Sequence, residues 1–258
     1  MTFAPNCLQF EGRALRAAAR GAGAVGPRFD TARVMRRALL AAALCAGTVL
    51  AQVPPSADQA AGYTGLFGAA QRGDLAALDR SLAASPAVDA RDAYGRTPLH
   101  VATFARQREA IRRLARAGAD LGALENDRYD AVTIAAVAGD DETLRVLLAL
   151  GASAKLVTSR YDGTALIAAA HPGHVGVVRR LIAAGAPLDH VNNLHWTAVI
   201  ESIVLGNGGA RHQATLKALI DAGANLQLTD RQGNTPLQLA RSRGYGEMVK
   251  MLEKAGAK

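Results

Sequence analysis

The feature that most restricts what this chain can fold into is one pattern recurring at a nearly fixed spacing. Thr97-Pro98-Leu99 returns as Asp130-Ala131-Val132, Thr164-Ala165-Leu166, Thr197-Ala198-Val199 and Thr235-Pro236-Leu237. A Gly-Ala pair closes each copy, at Gly118, Gly151, Gly185, Gly223 and Gly256, in steps of 33, 34, 38 and 33 residues. Thr or Asp at the head of a copy suits a helix N-cap, and proline fits the first helical position, where the missing N–H has no intrahelical acceptor anyway. Gly118 can end a second helix in a left-handed conformation that a Cβ would resist. Each copy therefore reads as two short helices joined by a tight turn. One such pair cannot bury its own apolar face, so the copies must stack.

Counting a degenerate first copy from Thr64, six units start at positions 64, 97, 130, 164, 197 and 235. Their third residues are Leu66, Leu99, Val132, Leu166, Val199 and Leu237, and their sixth are Ala69, Ala102, Ala135, Ala169, Ser202 and Ala240. A small residue at every sixth position predicts close approach of the paired helices. The second helices carry Leu78, Ile111, Leu144, Val178, Leu216 and Val249 and, about one turn on, Ser81, Leu114, Leu147, Leu181, Leu219 and Leu252. That is mostly one apolar face at helical spacing. Hydrophobic types make up 50% of the chain but aromatics only 4%, so the core is built from Ala, Leu and Val. Such a composition suits thin, closely packed helices rather than a sandwich or barrel. The polar end Glu253 to Lys258 suits a C-terminal cap.

A period near 33 residues headed by Thr97-Pro98-Leu99-His100 resembles the ankyrin repeat, over residues 63–258. The resemblance implies an all-α solenoid of six helix-turn-helix units, a single elongated domain. Segments such as Asp89 to Arg96 would be projecting β-hairpin fingers. Ankyrin proteins typically bind partners through these fingers and the adjoining concave first-helix face. The finger tips would then carry the partner-binding residues: Tyr94 and Arg96, Arg128 and Tyr129, Arg160 and Tyr161, His195 and Trp196, Arg231 and Gln232. Tyr, Trp and Arg offer large contact area together with a polar handle. The fifth unit is longer by five residues, and Gly206 to His212 reads as a lengthened turn before a second helix from near Gln213. Arg211 and His212 on that turn are further candidates, for a partner or an anion. With Trp196-Thr197-Ala198 upstream, this arrangement resembles small exported bacterial ankyrin-repeat proteins.

The N-terminal part has a different character. Read from Met35, a basic Arg36-Arg37 and the apolar run Ala38 to Ala51, with its small-residue end Val49-Leu50-Ala51, have the layout of a secretory signal. The run is shorter than the ~20 residues a membrane span needs. The expectation is a signal peptide at 35–51, a linker at 52–62 containing Pro54-Pro55-Ser56, and residence in the periplasm, with secretion as the alternative. Residues 1–34 read as an extension or a mis-assigned start. Seven of the 30 basic residues and two of the 22 acidic ones precede Gln52, leaving 23 against 20 in the remainder. The basic excess is thus mostly outside the repeats, which argues against nucleic acid as a partner.

Cys7 and Cys45 are the only cysteines, so the repeats can hold no disulfide framework, cysteine zinc site or cysteine nucleophile. No nucleophile elbow, phosphate loop or His-Glu-x-x-His helix is present. His171-Pro172-Gly173-His174 has a ligand-like spacing, but no carboxylate or cysteine completes a set. Glu201 and Asp162 lie near His195 in sequence, yet a general acid or base needs a shaped, partly dry site. The expected function is non-catalytic binding of a protein partner by a monomer, without metal or cofactor and without stable membrane insertion once the signal is removed. The alternatives are an accessory or metal-dependent enzyme-like role built on His195, His212 and the long loop, or a secreted effector that binds a host protein.

Overall fold

The computed structural model describes residues 52–84 and 87–258. The expected extension at 1–34 and signal at 35–51 lie outside the described residues, as do Ser85 and Pro86. Six helix pairs follow a short leading helix, α1 (Ala57–Gly62). They are α2 (Gly65–Arg72) with α3 (Leu75–Ala84), α4 (Pro98–Phe104) with α5 (Arg108–Arg116), and α6 (Ala131–Val137) with α7 (Asp141–Ala149). Then come α8 (Ala165–Ala170) with α9 (Val175–Ala183), α10 (Ala198–Val204) with α11 (Ala210–Asp221), and α12 (Pro236–Ser242) with α13 (Gly246–Lys254). The first helices pack successively on one another, α2 on α4 through to α10 on α12, and so do the second helices from α3 to α13. Two parallel rows of helices result.

Local chemistry sets each start. The side chains of Thr97, Asp130, Thr164, Thr197 and Thr235 accept from the backbone N–H three residues on. Thr64 makes no such bond, which fits its place in the degenerate first unit. The turns after α5 and α7 use Gly118 at φ 90° and Gly151 at φ 95°, where a Cβ would be strained. Packing follows the stripes read from the sequence. The small sixth residues Ala69 to Ala240 are all buried, and so are Leu78, Ile111, Leu144, Val178 and Leu216 on the second row. Fully burying one such leucine contributes about 1.5–3 kcal/mol. In the last unit, Met248 and Leu252 are the buried pair and Val249 is only partly covered.

His100 shows how one unit holds the next. Its Nδ1 accepts from the Thr97 N–H at 3.0 Å, so Nε2 carries the proton and faces the carbonyls of Ala123 at 3.0 Å and Tyr129 at 3.1 Å. Burial lowers its pKa to about 4, against the smaller opposing pull of those two carbonyls. The ring is a neutral clamp between the second and third units.

Between units the chain turns in fingers. One of them carries a two-residue antiparallel ladder, β1 (Val157–Thr158) with β2 (Gly163–Thr164). Others close with backbone bonds such as Asp92 N–H to the Arg96 carbonyl at 3.0 Å and Asn192 N–H to that of Trp196 at 3.0 Å. Successive fingers are also bonded to each other: Asn126 N–H to the Tyr94 carbonyl at 3.0 Å, Ser159 to Arg128 at 2.7 Å, Asn193 to Tyr161 at 2.9 Å.

The segment expected as a linker is ordered instead. Ser56 and Gln59 form a capping box that starts α1. The Gln52 amide reaches the Thr133 carbonyl in α6 at 2.9 Å, and Gln59 accepts from Arg96 at 3.2 Å. Pro54-Pro55 marked a break in periodicity, but polar side chains anchor this stretch across the first three units.

Candidate functional site

Most finger tips are shaped by a short polar residue at the start of the turn. Asp92 Oδ1 accepts from the N–H groups of Tyr94 at 2.8 Å and Arg96 at 2.9 Å. Asn192 does the same for Leu194 and Trp196, and Asp230 for Gln232 and Asn234. In the second to sixth units the residue two before the head then takes a positive φ. It is Gly95 and Gly233 in the first and last of these fingers. In the three central fingers it is Arg128 at φ 66°, Asp162 at φ 51° and His195 at φ 63°. A left-handed conformation costs an L-residue roughly 1–2 kcal/mol that glycine avoids. Side chains kept at such a cost are a pointer to function.

The expected anchors divide into two groups. Arg128, Arg160, His195, Arg231, Gln232 and Arg211 are exposed, as is Tyr94 at 45%, and Tyr161 and Trp196 are half-buried. Some are tethered to neighbouring fingers: Arg160 pairs with Asp127, Arg128 with Asp162 at 3.5 Å, and Arg231 donates to the Asn193 carbonyl at 2.7 Å. Arg96, Tyr129 and His212 do not fit the expectation, being only 1%, 4% and 5% exposed. The Arg96 guanidinium sits 4.3 Å from the Tyr94 ring centroid and 3.5 Å from Asp92, with Gln59 on its other side. Tyr63, whose hydroxyl donates to Asp92 at 2.6 Å, completes this cluster. Its pKa is raised, first by burial and then by that bond. Tyr129 packs inside its finger, and burial moves its pKa up to about 12.

The long fifth unit also differs from expectation. α11 begins at Ala210 on an N-cap Gly209, so the extra residues lengthen a helix more than a loop. Arg211 and His212 fall in its first turn. The two ring nitrogens of His212 lie 3.0 Å from Asn207 Oδ1 and 2.9 Å from the His171 carbonyl. The remaining turn is pinned, since Tyr245 donates to the Gly206 carbonyl at 2.9 Å and its ring would meet any Cβ added at Gly208. Arg211 instead lines a shallow cleft of about 330 Å³ with Asp141, Gly173 and His174.

The inner face, meaning the side of the first row turned away from the second row, is the other candidate surface. At about 100° per residue, Glu201 lies about 200° around α10 from Val199, which is packed in the core between the rows. Its counterparts in the other units are Gly68, Val101, Ile134, Ala168 and Leu239. Val101 and Ile134 are buried, in the units spanned by the Gln52–Tyr63 segment, whereas Ala168 and Leu239 are half-buried. Glu201 is the one ionisable residue in the row. It is 8% exposed, its Oε2 has no hydrogen-bond partner among the described residues, and His171 Nδ1 stands 3.8 Å from Oε1. Burial raises its pKa to about 8. His171 is lowered, by burial first and then by His212, so it is a poor cation at neutral pH. Sequence reading passed over Glu201 as a site residue; aligning the six units column by column exposes it as a carboxyl in an apolar column.

His171 and His174 do not converge: one faces Glu201, and the other contacts the Val137 carbonyl at 3.2 Å. His195, on a finger tip, and His212, in α11, sit on separate elements. Among the described residues no group of three or more His, Cys, Asp or Glu could hold a metal ion, and no helix is long and apolar enough to cross a membrane.

A model of ankyrin repeats in 3 copies matches residues 39–125 and 132–210, and a model of ankyrin repeats in many copies matches residues 209–253. The ankyrin repeat protein YahD of Escherichia coli is 34% identical over 190 residues, which is 73% of this chain and 94% of that protein. A crystal structure of an ankyrin repeat domain from Acinetobacter baumannii is 47% identical with a TM-score of 0.71, covering 75% of this chain and 98% of the other. The ankyrin repeat domain of Bcl-3, a member of the IkappaB protein family, is 28% identical with a TM-score of 0.69, covering 76% and 88%.

Proposed function

The chain belongs to the ankyrin-repeat family, whose repeats are in general non-enzymatic modules for protein–protein interaction, and we propose that it is a periplasmic, non-catalytic binder of one protein partner. The partner lies along the finger tips and the inner face of the fourth to sixth units. The observation that carries this is that the three central fingers hold Arg128, Asp162 and His195 at positive φ where the outer fingers have glycine. Tyr161 and Trp196 flank two of these positions and supply apolar area. Fingers bonded to one another form a rigid surface, which loses little conformational entropy on binding. Export is supported by the basic, apolar and small-residue order of Met35 to Ala51.

Immobilised protein is used to capture partners from the periplasmic fraction of its own cells. The Tyr161→Ala, Trp196→Ala double variant is expected to fold normally and to lose the captured protein. Undiminished capture by the folded variant refutes the surface. The start of the native protein is read in the same preparation: Gln52 is expected, and a start at Met1 in the cytosol overturns the periplasmic assignment.

A further inference from the structure

We propose that the inner face between α8, α10 and α12 is the receiving site for a cationic side chain, lysine or arginine, of the partner polypeptide, and that Glu201 is the group that receives it. This rests on the protein-binding reading above and adds the chemistry of one contact. Glu201 occupies a column otherwise filled by glycine and apolar residues, where an apolar side chain would be cheaper to bury. One of its oxygens is buried with no hydrogen-bond partner among the described residues. His171 Nδ1, at 3.8 Å from the other, is too far for a hydrogen bond. A cation placed over Ala168 and Leu239 would approach the partly exposed edge of this carboxyl, and a charged donor offsets the cost of burying a carboxylate better than a neutral one does.

Among the described residues no cation of the protein does this. From α8, only His171 comes within ion-pairing range. From α11, His212 has both ring nitrogens engaged, and Lys217 pairs with Asp221. From α12, Arg241 is drawn to Glu253, and Arg243, just after that helix, makes no ion pair with Glu201. Because burial keeps Glu201 largely protonated at neutral pH, binding a cation there must expel its proton.

The test selects a phage library of random dodecapeptides on the full chain. Selected peptides are expected to share a lysine or arginine. Replacing that residue by its uncharged counterpart, citrulline for arginine or acetyl-lysine for lysine, should weaken binding about 10–100-fold in the native protein and less than about twofold in Glu201→Gln. Calorimetry at pH 7 in buffers of different ionisation enthalpy should find proton release with the native protein and none with the variant. Ala168→Trp, or Leu239→Trp where the first disturbs folding, reports whether a peptide occupies the inner face. Peptides blocked by that tryptophan, yet lacking a shared cation or losing affinity equally with both proteins, overturn the site and leave the binding surface intact. Peptides indifferent to the tryptophan, or no selected peptides at all, overturn the site and the inner-face reading together.

Discussion

Glu201→Gln should stabilise the folded protein, by an amount that grows with pH. An ordinary glutamate titrates near 4.5, whereas burial holds this one near 8. Between those values the folded chain keeps a proton that the unfolded chain has already released. Native stability therefore falls as pH rises through that window. Each tenfold change in proton affinity is about 1.4 kcal/mol, so the cost is about 3 kcal/mol at pH 7 and about 5 kcal/mol above pH 8, both upper values. Glutamine has the shape of the protonated acid and stays neutral, so it avoids this cost. Urea unfolding of both proteins at about pH 5, 7 and 8.5 (near the lower edge of the window, inside it and above it) measures the difference. Other titrating groups act equally in both proteins and cancel from it. The stability gain should be below about 1 kcal/mol at the lowest pH and several kcal/mol at the highest. A pH-independent difference, or a variant less stable at high pH, would refute the assignment of a buried, unsatisfied carboxyl.

Three further expectations concern the scaffold. His100 is lowered to about 4 by burial, so its contribution is complete above about 6.5 and is lost as pH falls towards 4; the decline in stability over that range should be shallower in His100→Gln by about 3 kcal/mol, and parallel curves would contradict the clamp. Ala135→Leu places extra volume at a fully buried sixth position and should cost about 1–3 kcal/mol in thermal or chemical melting, with an unchanged melt counting against the repeat register. His195→Gly relieves a positive φ and should raise stability by about 0.5–1 kcal/mol while weakening partner capture; a destabilised variant that captures normally would show that the side chain supports the finger rather than the interface.

Much of the fold was legible because its determinants are local and repeated. A cap such as Thr197, a small residue such as Ala135 and a pair such as Leu144 and Leu147 each act within one or two helical turns. Repetition then averages out exceptions such as Gly65 to Gly68 in the first unit. Polar side chains with remote partners were not legible in the same way. Gln52 was read as part of a linker because its partner, the Thr133 carbonyl, is 81 residues away.

The sequence alone determined the number of units, the helix pairs, their register and the positions of the fingers, since these follow from caps, turns and the period of apolar residues. Tertiary structure decided which candidate side chains reach solvent. Arg96 and Tyr94 share one finger, yet Asp92, Gln59 and Tyr63 hold Arg96 inside while Tyr94 stays exposed. Stacking decided the state of Glu201 as well: identity fixed its charge chemistry, and burial against neighbouring helices removed the water that would have kept it ionised. Residue type sets what a group can do, and the packing of residues distant in sequence sets the solvent and partners that decide whether it does so.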